Sequence, residues 1–388
     1  MRILTRLFLG LALVLIIGLY ALSRPLQDFA AYWTAAHLFV ARTNPYSLPE
    51  MFRAERALGW PEPIPGMILS PPWIFPFIAP LGPLESYPVA WLLWVAVLSG
   101  VLMLSTRLLL SVYDSGGAVL RSESSISRCL LGFTYYPALV CLKFAQIGPL
   151  VLLGIAGFLW FDNRKQPVWA GVSLALAAIK PHLLYLVWIA VLLRSVRRRE
   201  WKLLASATAT LGLLTGIALL VDHRVMLEYW QLSNTPLVRL FPSGLGALLR
   251  RLPGARDMFW LQFAPAVVGV AFLTVHWRRF RDAWHWAEQM PLLLTLSVLT
   301  TPYGWTFDQV LLVVPIVALA ARYARNFGGF PKIIVLVYTV VNVALIFALM
   351  LKSPFAFPLG PVVMTVFLLK GATVMREGIR GPNHAAAL

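Results

Sequence analysis

The sequence predicts an all-α protein, a polytopic bundle of transmembrane helices with about 12 membrane passes, within a range of about 10–12. Three observations predict this fold class. Of the 388 residues, 59% are hydrophobic and only 13% are charged, whereas a soluble domain carries about 25% charged residues. The mean hydropathy is +0.75, and apolar runs recur along the chain. This composition excludes a soluble globular protein, a disordered chain and a disulfide scaffold.

The apolar runs define the predicted passes. The first, residues 7–22, follows Arg2 and Arg6 and could be a signal peptide with a weak cleavage site at 21–23. Pro25 and the many later runs favour an uncleaved first span. The further runs lie near residues 88–110, 129–145, 149–161, 168–179, 182–193, 203–221, 259–277, 287–302, 307–321, 333–351 and 359–375.

The positive charge of the chain orients these passes. There are 33 Lys and Arg residues against 16 Asp and Glu, a net charge of +17. No basic stretch has a nucleic-acid-binding pattern, so the cations are interpreted as residues that flank the spans at anionic headgroups. With the N-terminus inside, most of them lie on the cytoplasmic side. This predicts a multi-pass protein of the cell (inner) membrane with both termini cytoplasmic.

The runs 168–179 and 182–193 are the weakest part of this count. Each would rise only about 18 Å across a hydrocarbon core of about 30 Å, so together they could form one long kinked span. The positive-inside rule favours two passes, because it places the basic stretch 194–202 on the same side as Arg164 and Lys165.

The chain is predicted to be a single integral membrane domain, residues 1–388, with two long extracytoplasmic segments. The first, 23–87, is rich in proline and contains a predicted interfacial helix over residues 26–40; the second is 222–258. Cys129 and Cys141 both lie in an apolar run and are interpreted as buried thiols that do not indicate a redox compartment.

An acid and two aromatic residues open the first extracytoplasmic segment. Asp28 directly precedes the predicted interfacial helix, in which Tyr32 and Trp33 follow within two turns. Asp28 could simply complement the helix dipole. Alternatively, it is a carboxylate at the membrane surface that acts as a general base, with Tyr32 and Trp33 binding the sugar or the acceptor.

Ionisable residues also interrupt apolar sequence between the two short runs. Lys180 and His182 flank Pro181, and charged groups at membrane depth are costly, so they are functional candidates by default. Both are potential donors to a phosphate group; a helix kink with a lysine that extends to the interface is the alternative. Arg224 and Arg239, in the second long segment, are further phosphate-binding candidates.

Two predicted extracytoplasmic turns carry further polar candidates. Gln146, in the turn 143–149, could bind a sugar or cap its own turn. Trp305 and Asp308 belong to the segment 301–309, which breaks a span, and both are candidates for binding the sugar or the acceptor. The tryptophan could instead belong to an ordinary interfacial belt. In the twelve-pass topology all these candidates lie on the extracytoplasmic face, which is the best functional signal in the chain.

At these motifs the chain resembles glycosyltransferase family 87, also called the DUF2029 family, of the membrane-embedded GT-C class. The resembling stretches occur in family order between residue 28 and about residue 309. They are Asp28-Phe29 with Tyr32-Trp33, Asn44-Pro45-Tyr46, Ser70-Pro71-Pro72, Gln146-Ile147-Gly148, Lys180-Pro181-His182, and Thr301-Pro302-Tyr303 with Trp305. The chain departs from the family at Asp308, since many members have a histidine shortly after the tryptophan of the last motif.

The resemblance implies a GT-C fold and a polyprenyl-phosphate-mannose-dependent α-mannosyltransferase that transfers its sugar with inversion at the extracytoplasmic face. It places the acid of the first extracytoplasmic loop on Asp28. The expected partners are a polyprenyl-phosphate-linked sugar donor, a lipid or glycan acceptor and membrane lipids, without nucleic acid. No cofactor is expected, because the leaving group is already a phosphate, although the sequence leaves open whether a divalent metal assists.

Two other classes of function remain as alternatives. Ionisable groups near the midplane and broken helices also fit a membrane transporter or lipid flippase, but no inverted repeat is visible. A non-catalytic membrane scaffold is the second alternative. The sequence contains no Walker loop, no glycine fingerprint for dinucleotides and no metal-ligand spacing, which favours a lipid-linked over a nucleotide-linked donor.

Overall fold

The computed structural model describes residues 28–114, 117, 119, 128–235, 244–327 and 332–379. Every regular element within these ranges is a helix, and none of them contains a β-strand, which confirms the predicted all-α class. The predicted first span at 7–22 and Arg239 lie outside the described residues.

The α-helices follow one another with short connections, several of which are 3₁₀ turns. In chain order the α-helices are α1 (Phe29–Val40), α2 (Leu48–Ala57), α3 (Phe75–Ile78), α4 (Tyr87–Tyr113), α5 (Tyr136–Lys143), α6 (Gly148–Asn163), α7 (Pro167–Ala177), α8 (Tyr185–Arg198), α9 (Trp201–Val221), α10 (Val225–Ser233), α11 (Gly244–Leu249), α12 (Ala264–Phe280), α13 (Trp286–Thr300), α14 (Val313–Phe327), α15 (Lys332–Met350) and α16 (Ala356–Ile379). Two of the 3₁₀ turns, Pro181–Leu184 and Thr306–Leu312, carry candidate site residues.

Within the described ranges, 4 helices are long and apolar enough to cross a membrane. They are Tyr87–Tyr113, Trp201–Val221, Thr306–Asn326 and Lys332–Met350. Several other apolar helices are shorter, including α1, α6 and α7. The count of about 12 passes therefore stays a prediction.

One buried arginine shows how the chain runs between Asn163 and Trp201. The guanidinium of Arg194, at the end of α8, donates to Asp162 at 2.9 Å and lies 3.1 Å from Glu200. The end of α6, the end of α8 and the start of α9 therefore meet at one end of the bundle. Since α7 and α8 both connect this end to Lys180, the chain leaves this end along α7 and returns to it along α8.

Small residues bring α6, α7 and α9 into backbone contact. A Cβ on Gly171 of α7 would lie 2.0 Å from Ser206 Oγ and 2.3 Å from the carbonyl oxygen of Leu203, both in α9. On the other side of α7, a Cβ on Gly154 of α6 would lie 2.5 Å from the amide nitrogen of Ala177. Only glycine permits these approaches. The contact at Gly171 therefore fixes how the first turns of α7 and α9 pack against each other.

The helix predicted at residues 26–40 corresponds to α1, Phe29–Val40, which is buried on every side. Its first eight residues are all buried, whereas an interfacial helix would expose one face to water. A helix that is apolar around its whole circumference packs inside protein. The buried position holds Asp28, the residue before α1, against the rest of the bundle.

A second acid of the first segment is buried next to α1. One oxygen of Glu55 accepts a hydrogen bond from the Gly66 amide at 2.9 Å, while its other oxygen, Oε1, has no partner among the described residues. The residue is 0% exposed. Burial raises the pKa of the Glu55 carboxyl to about 7, partly opposed by the hydrogen bond from Gly66.

We expect Glu55→Gln to stabilise the protein at alkaline pH. Because the folded-state pKa lies above its ordinary value of 4.5, the native state loses stability as the pH rises through this interval, and the penalty is complete above about pH 7. The substitution should recover up to about 3 kcal/mol at about pH 8 and almost nothing near pH 4.5. Thermal unfolding in detergent at both pH values measures this. Glu62→Gln, at an exposed acid of the same segment, should show no such difference, and equal effects of the two variants would contradict the assignment.

Candidate active site

The carboxylate of Asp28 is turned towards Gln146 rather than towards its own helix. Asp28 is the N-cap residue of α1 but makes no side-chain capping bond. Its Oδ2 instead accepts a hydrogen bond from Gln146 Nε2 at 2.7 Å. Burial raises the pKa of the Asp28 carboxyl, against the opposing effects of the Gln146 hydrogen bond and the Lys180 charge. The geometry thus disfavours a role of Asp28 as a helix cap.

Gln146 connects three candidate residues through its amide. The residue lies in the tight turn between α5 and α6, where Ala145 has a φ of 50°. Its Oε1 accepts hydrogen bonds from the Tyr32 hydroxyl at 3.0 Å and from Lys180 Nζ at 3.2 Å. With Nε2 donating to Asp28, the amide oxygen has both lone pairs occupied and one N–H remains. Gln146 is therefore the centre of a network and not merely the cap of its turn.

Lys180 forms a buried ion pair across the site. The residue is 8% exposed, and its Nζ lies 2.7 Å from Asp308 Oδ1. The ammonium group also lies 5.0 Å from the centre of the Phe307 ring. Two of its three N–H donors are thus occupied, by Asp308 and Gln146. Because it is buried and paired, this lysine does not extend to an interface.

Asp308 is bound on both of its oxygens. Oδ1 accepts from Lys180, and Oδ2 accepts from the backbone amide of Trp305 at 3.0 Å. The residue is fully buried. In this arrangement Asp308 orients the lysine and closes the turn at residues 305–308, so neither oxygen is directed to a ligand.

His182 has a buried ring nitrogen, Nε2, with no hydrogen-bond partner among the described residues. It lies in the 3₁₀ turn that follows Lys180, and its carbonyl oxygen accepts from Thr301 Oγ1 at 3.0 Å. This bond ties the turn to the segment that carries Trp305. An unpaired buried imidazole nitrogen near a lysine is a potential contact for an anionic ligand.

Aromatic rings border the ion pair. The rings of Trp305 and Phe307 are stacked, with an interplanar angle of 10° and a centroid distance of 6.0 Å. The Trp73 indole nitrogen donates to the Ala178 carbonyl oxygen at 3.0 Å, which joins the Ser70-Pro71-Pro72-Trp73 motif to the end of α7. Trp305 and Trp73 are both partly exposed, as a surface for sugar stacking requires.

Two of the sequence-predicted residues lie apart from this network. The Trp33 indole donates to the Leu84 carbonyl oxygen at 3.0 Å, and its ring packs against Tyr87. Arg224 is exposed at the start of α10, where its backbone amide bonds to Asp222. The structure brings together Asp28, Tyr32, Gln146, Lys180 and Asp308, with Trp305 bonded through its backbone and His182 two residues from the lysine.

The sequence reasoning missed Phe307 and Gln309. Phe307 lies beneath the ammonium group and against Trp305; its spacing of two residues from Trp305 is the only signal in the sequence. Gln309 is buried; its Oε1 accepts a hydrogen bond from the Tyr135 hydroxyl at 3.0 Å, and its Nε2 donates to the Phe357 carbonyl oxygen at 2.7 Å. It anchors the 3₁₀ turn that holds Asp308. Among the described residues, no group of three or more His, Cys, Asp or Glu side chains could hold a metal ion.

The comparison with known protein families identifies one relationship. The sequence model of glycosyltransferase family 87 matches residues 69–302, more than half of the chain. This range includes Gln146, Lys180 and His182, whereas Asp28 precedes it and Asp308 follows it. The chain matched no curated protein and no solved structure.

Proposed function

Because the chain belongs to glycosyltransferase family 87, we propose that it moves mannose from a polyprenyl-phosphate donor to an envelope glycolipid or glycan, with inversion, at the extracytoplasmic face of the cell membrane. Family membership implies glycosyltransferase activity in a membrane. The proposal is supported above all by the network that joins a carboxylate, Asp28, to a buried cation, Lys180, through the amide of Gln146. A base and an anion-stabilising group within one site are what this reaction needs.

Asp28 is proposed as the general base. Its Oδ2 is held by Gln146, which leaves Oδ1 to take the proton of the acceptor hydroxyl. The acceptor oxygen then forms a bond to the anomeric carbon while the bond from that carbon to the phosphate oxygen breaks. Since burial raises the pKa of Asp28, its carboxylate is a stronger base than an exposed aspartate.

Lys180 and His182 are proposed to stabilise the leaving polyprenyl phosphate, which takes the electron pair of the broken bond. The remaining N–H of Lys180 and the unpartnered Nε2 of His182 are the available groups. The Asp308 carboxylate supports this role because it keeps the lysine charged and directed into the site. Arg224 remains a candidate for the phosphate only if the segment that carries it moves.

The aromatic surface of Trp305 and Phe307 is proposed to bind the apolar face of the sugar. Tyr32 would act through its hydroxyl, which holds the Gln146 amide. Trp33 and Asp308 were also expected to contact the sugar or acceptor. Trp33 packs away from the network, and Asp308, which is bound on both oxygens, is proposed to orient Lys180 instead. The phosphate leaving group makes a metal chemically unnecessary. The cations around Arg194 lie at the other end of the bundle, which supports an extracytoplasmic site by the positive-inside rule.

Gln146→Met should shift the pH dependence of the transfer reaction. Methionine keeps the length of the side chain but removes the hydrogen bond that lowers the pKa of Asp28. The base is active when ionised, so the acidic limb of the kcat/KM profile should move to higher pH. Lys180 and Asp308 also influence the pKa of this carboxyl, and both are retained.

Gln289→Met provides the control for this shift. Gln289 is also buried and hydrogen-bonded, but its partner is His276 and it lies near the start of α13. The Gln289→Met variant should leave the acidic limb of the kcat/KM profile unchanged. A Gln146 variant with reduced activity and an unmoved limb would show that the amide only supports the fold.

Transfer from radiolabelled polyprenyl-phosphate-mannose in detergent tests the proposed function. The purified protein would be incubated with total lipid extract of the host membrane, and the labelled products would be separated. We expect a new labelled lipid or glycan that depends on the protein. Binding of the donor without any product would redirect the search to the acceptor, whereas absence of donor binding would overturn the assignment of the donor.

A further inference from the structure

The end of the bundle opposite Asp28 carries an excess of exposed cations. Arg194 is buried between Asp162 and Glu200, and Arg197 pairs with Asp282. These pairs join the segments 162–166, 194–202 and 281–285, each of which includes a helix end. Other cations in these segments have no carboxylate within ion-pair distance among the described residues. They include Arg164, Lys165, Arg198, Arg199 and Lys202.

Helices α7 and α9 begin side by side at this end. Gly171 and Ser206 are in contact; they are the fifth residue of α7 and the sixth residue of α9. The two helices therefore start at the same level and run in the same direction. The residues that precede their first turns, Lys165 and Arg199, belong to the same surface.

Two exposed tryptophans accompany these cations. Trp169 in the first turn of α7 is 57% exposed, and Trp201 at the start of α9 is 56% exposed. Lys165, Arg199 and Lys202 are also exposed. We call this set of five residues the basic edge. The Trp169 ring stacks on Phe161 at an interplanar angle of 26°, a contact that does not require its exposure.

We propose that the basic edge binds phospholipids with an anionic headgroup. Tryptophan rings lie preferentially at the depth where acyl chains meet headgroups, and adjacent cations at that depth attract lipid phosphate. The carboxylates of Asp162, Glu200 and Asp282 pair with Arg194 and Arg197. None of these three acids lies within ion-pair distance of the cations of the basic edge, which are therefore available to a lipid phosphate. This inference does not depend on glycosyl transfer, because the edge is separated from Asp28 by the length of α7.

Binding of fluorescent phosphatidylglycerol to the purified full-length protein in neutral detergent tests this proposal, with phosphatidylcholine as the competing lipid. The test variant is Lys165→Asn/Arg199→Asn/Lys202→Gln. Lys165 and Arg199 both have a φ of 56°, and asparagine tolerates this left-handed conformation. The three side chains make no ion pair among the described residues, so folding should be retained.

The matched control is Arg42→Asn/Arg251→Gln/Lys352→Asn. It removes the same number of exposed cations outside the basic edge, and two of them also have a left-handed φ, 57° for Arg42 and 50° for Lys352. Lys180 is unchanged in both variants, so anion binding at the active site contributes equally to each.

We expect the basic-edge variant to lose its preference for phosphatidylglycerol about tenfold or more and the control to keep it. In the wild type, inorganic phosphate should not displace the lipid, whereas high salt should weaken its binding. Equal losses in both variants, an unchanged preference in the basic-edge variant, or displacement by inorganic phosphate would overturn the proposal. If the basic-edge variant does not fold, Lys202→Gln alone should still lower the preference several-fold.

Discussion

Asp28→Asn should lower the turnover of the proposed glycosyl transfer by about 10²–10⁴-fold, the usual contribution of a general base. Asparagine has nearly the same shape, and its amide oxygen can still accept the hydrogen bond that Gln146 donates to Asp28 at 2.7 Å. The variant loses the ability to take a proton but keeps the network. Binding of the proposed polyprenyl-phosphate donor should therefore be retained while kcat falls.

Donor binding and turnover must be measured on the same purified preparation, because a loss of both would indicate damage to the fold. Glu62→Gln is the control for removing an exposed acid from the same segment, and it should behave like the wild type. Full turnover by Asp28→Asn would exclude this residue as the base. The next acid to examine would then be Glu55, which is buried beside α1.

Lys180→Met should destabilise the protein by about 3–5 kcal/mol, because it leaves the Asp308 carboxylate buried without its partner. The ion pair is 2.7 Å long and Asp308 is fully buried, so water cannot replace the lysine. Lower thermal stability in detergent should accompany the loss of transfer. On its own, this variant does not separate a structural from a catalytic role.

The double variant Lys180→Met/Asp308→Asn separates the two roles. It removes both charges, and the asparagine oxygen can still accept the hydrogen bond from the Trp305 amide. Removing both members of a buried pair is often close to neutral for stability, so most of the lost stability should return. Transfer should not return, because the leaving phosphate still lacks its cation.

Recovery of both stability and turnover in the double variant would show that Lys180 only holds the fold. Arg53→Met is the control for removing a cation from an ion pair. The Arg53–Glu50 pair is short, at 2.6 Å, but the arginine side chain is 73% exposed, so its loss should cost at most about 1 kcal/mol. The difference between the stability losses of Lys180→Met and Arg53→Met isolates the effect of burying the ion pair.

The membrane class and the candidate polar residues were predictable from the sequence because their physical cause is local. Long apolar runs with few charges bury enough surface to place helices in a membrane. An ionisable residue within such a run is costly, which is why Lys180 and Asp308 could be selected without a structure. The charge pattern also predicted that residues 164–165 and 194–202 lie at one end, as the Arg194 ion pairs show.

The roles of the individual residues required the tertiary structure, because they depend on contacts between distant parts of the chain. Tyr32 and Gln146 are 114 positions apart, and Lys180 and Asp308 are 128 apart. Neighbours in sequence also separate in space. Tyr32 reaches Gln146 while Trp33 packs on Leu84 and Tyr87, since consecutive residues of an α-helix point about 100° apart.

The sequence by itself therefore determined that the protein is an all-helical membrane protein. It also identified the polar residues whose presence within apolar runs is not explained by membrane insertion. The tertiary structure decided which of these side chains meet: Asp28 bonds to Gln146, and Asp308 holds Lys180. The physical reason is that composition and helical periodicity follow from local preferences, whereas a hydrogen bond forms only where packing brings two groups to within about 3 Å.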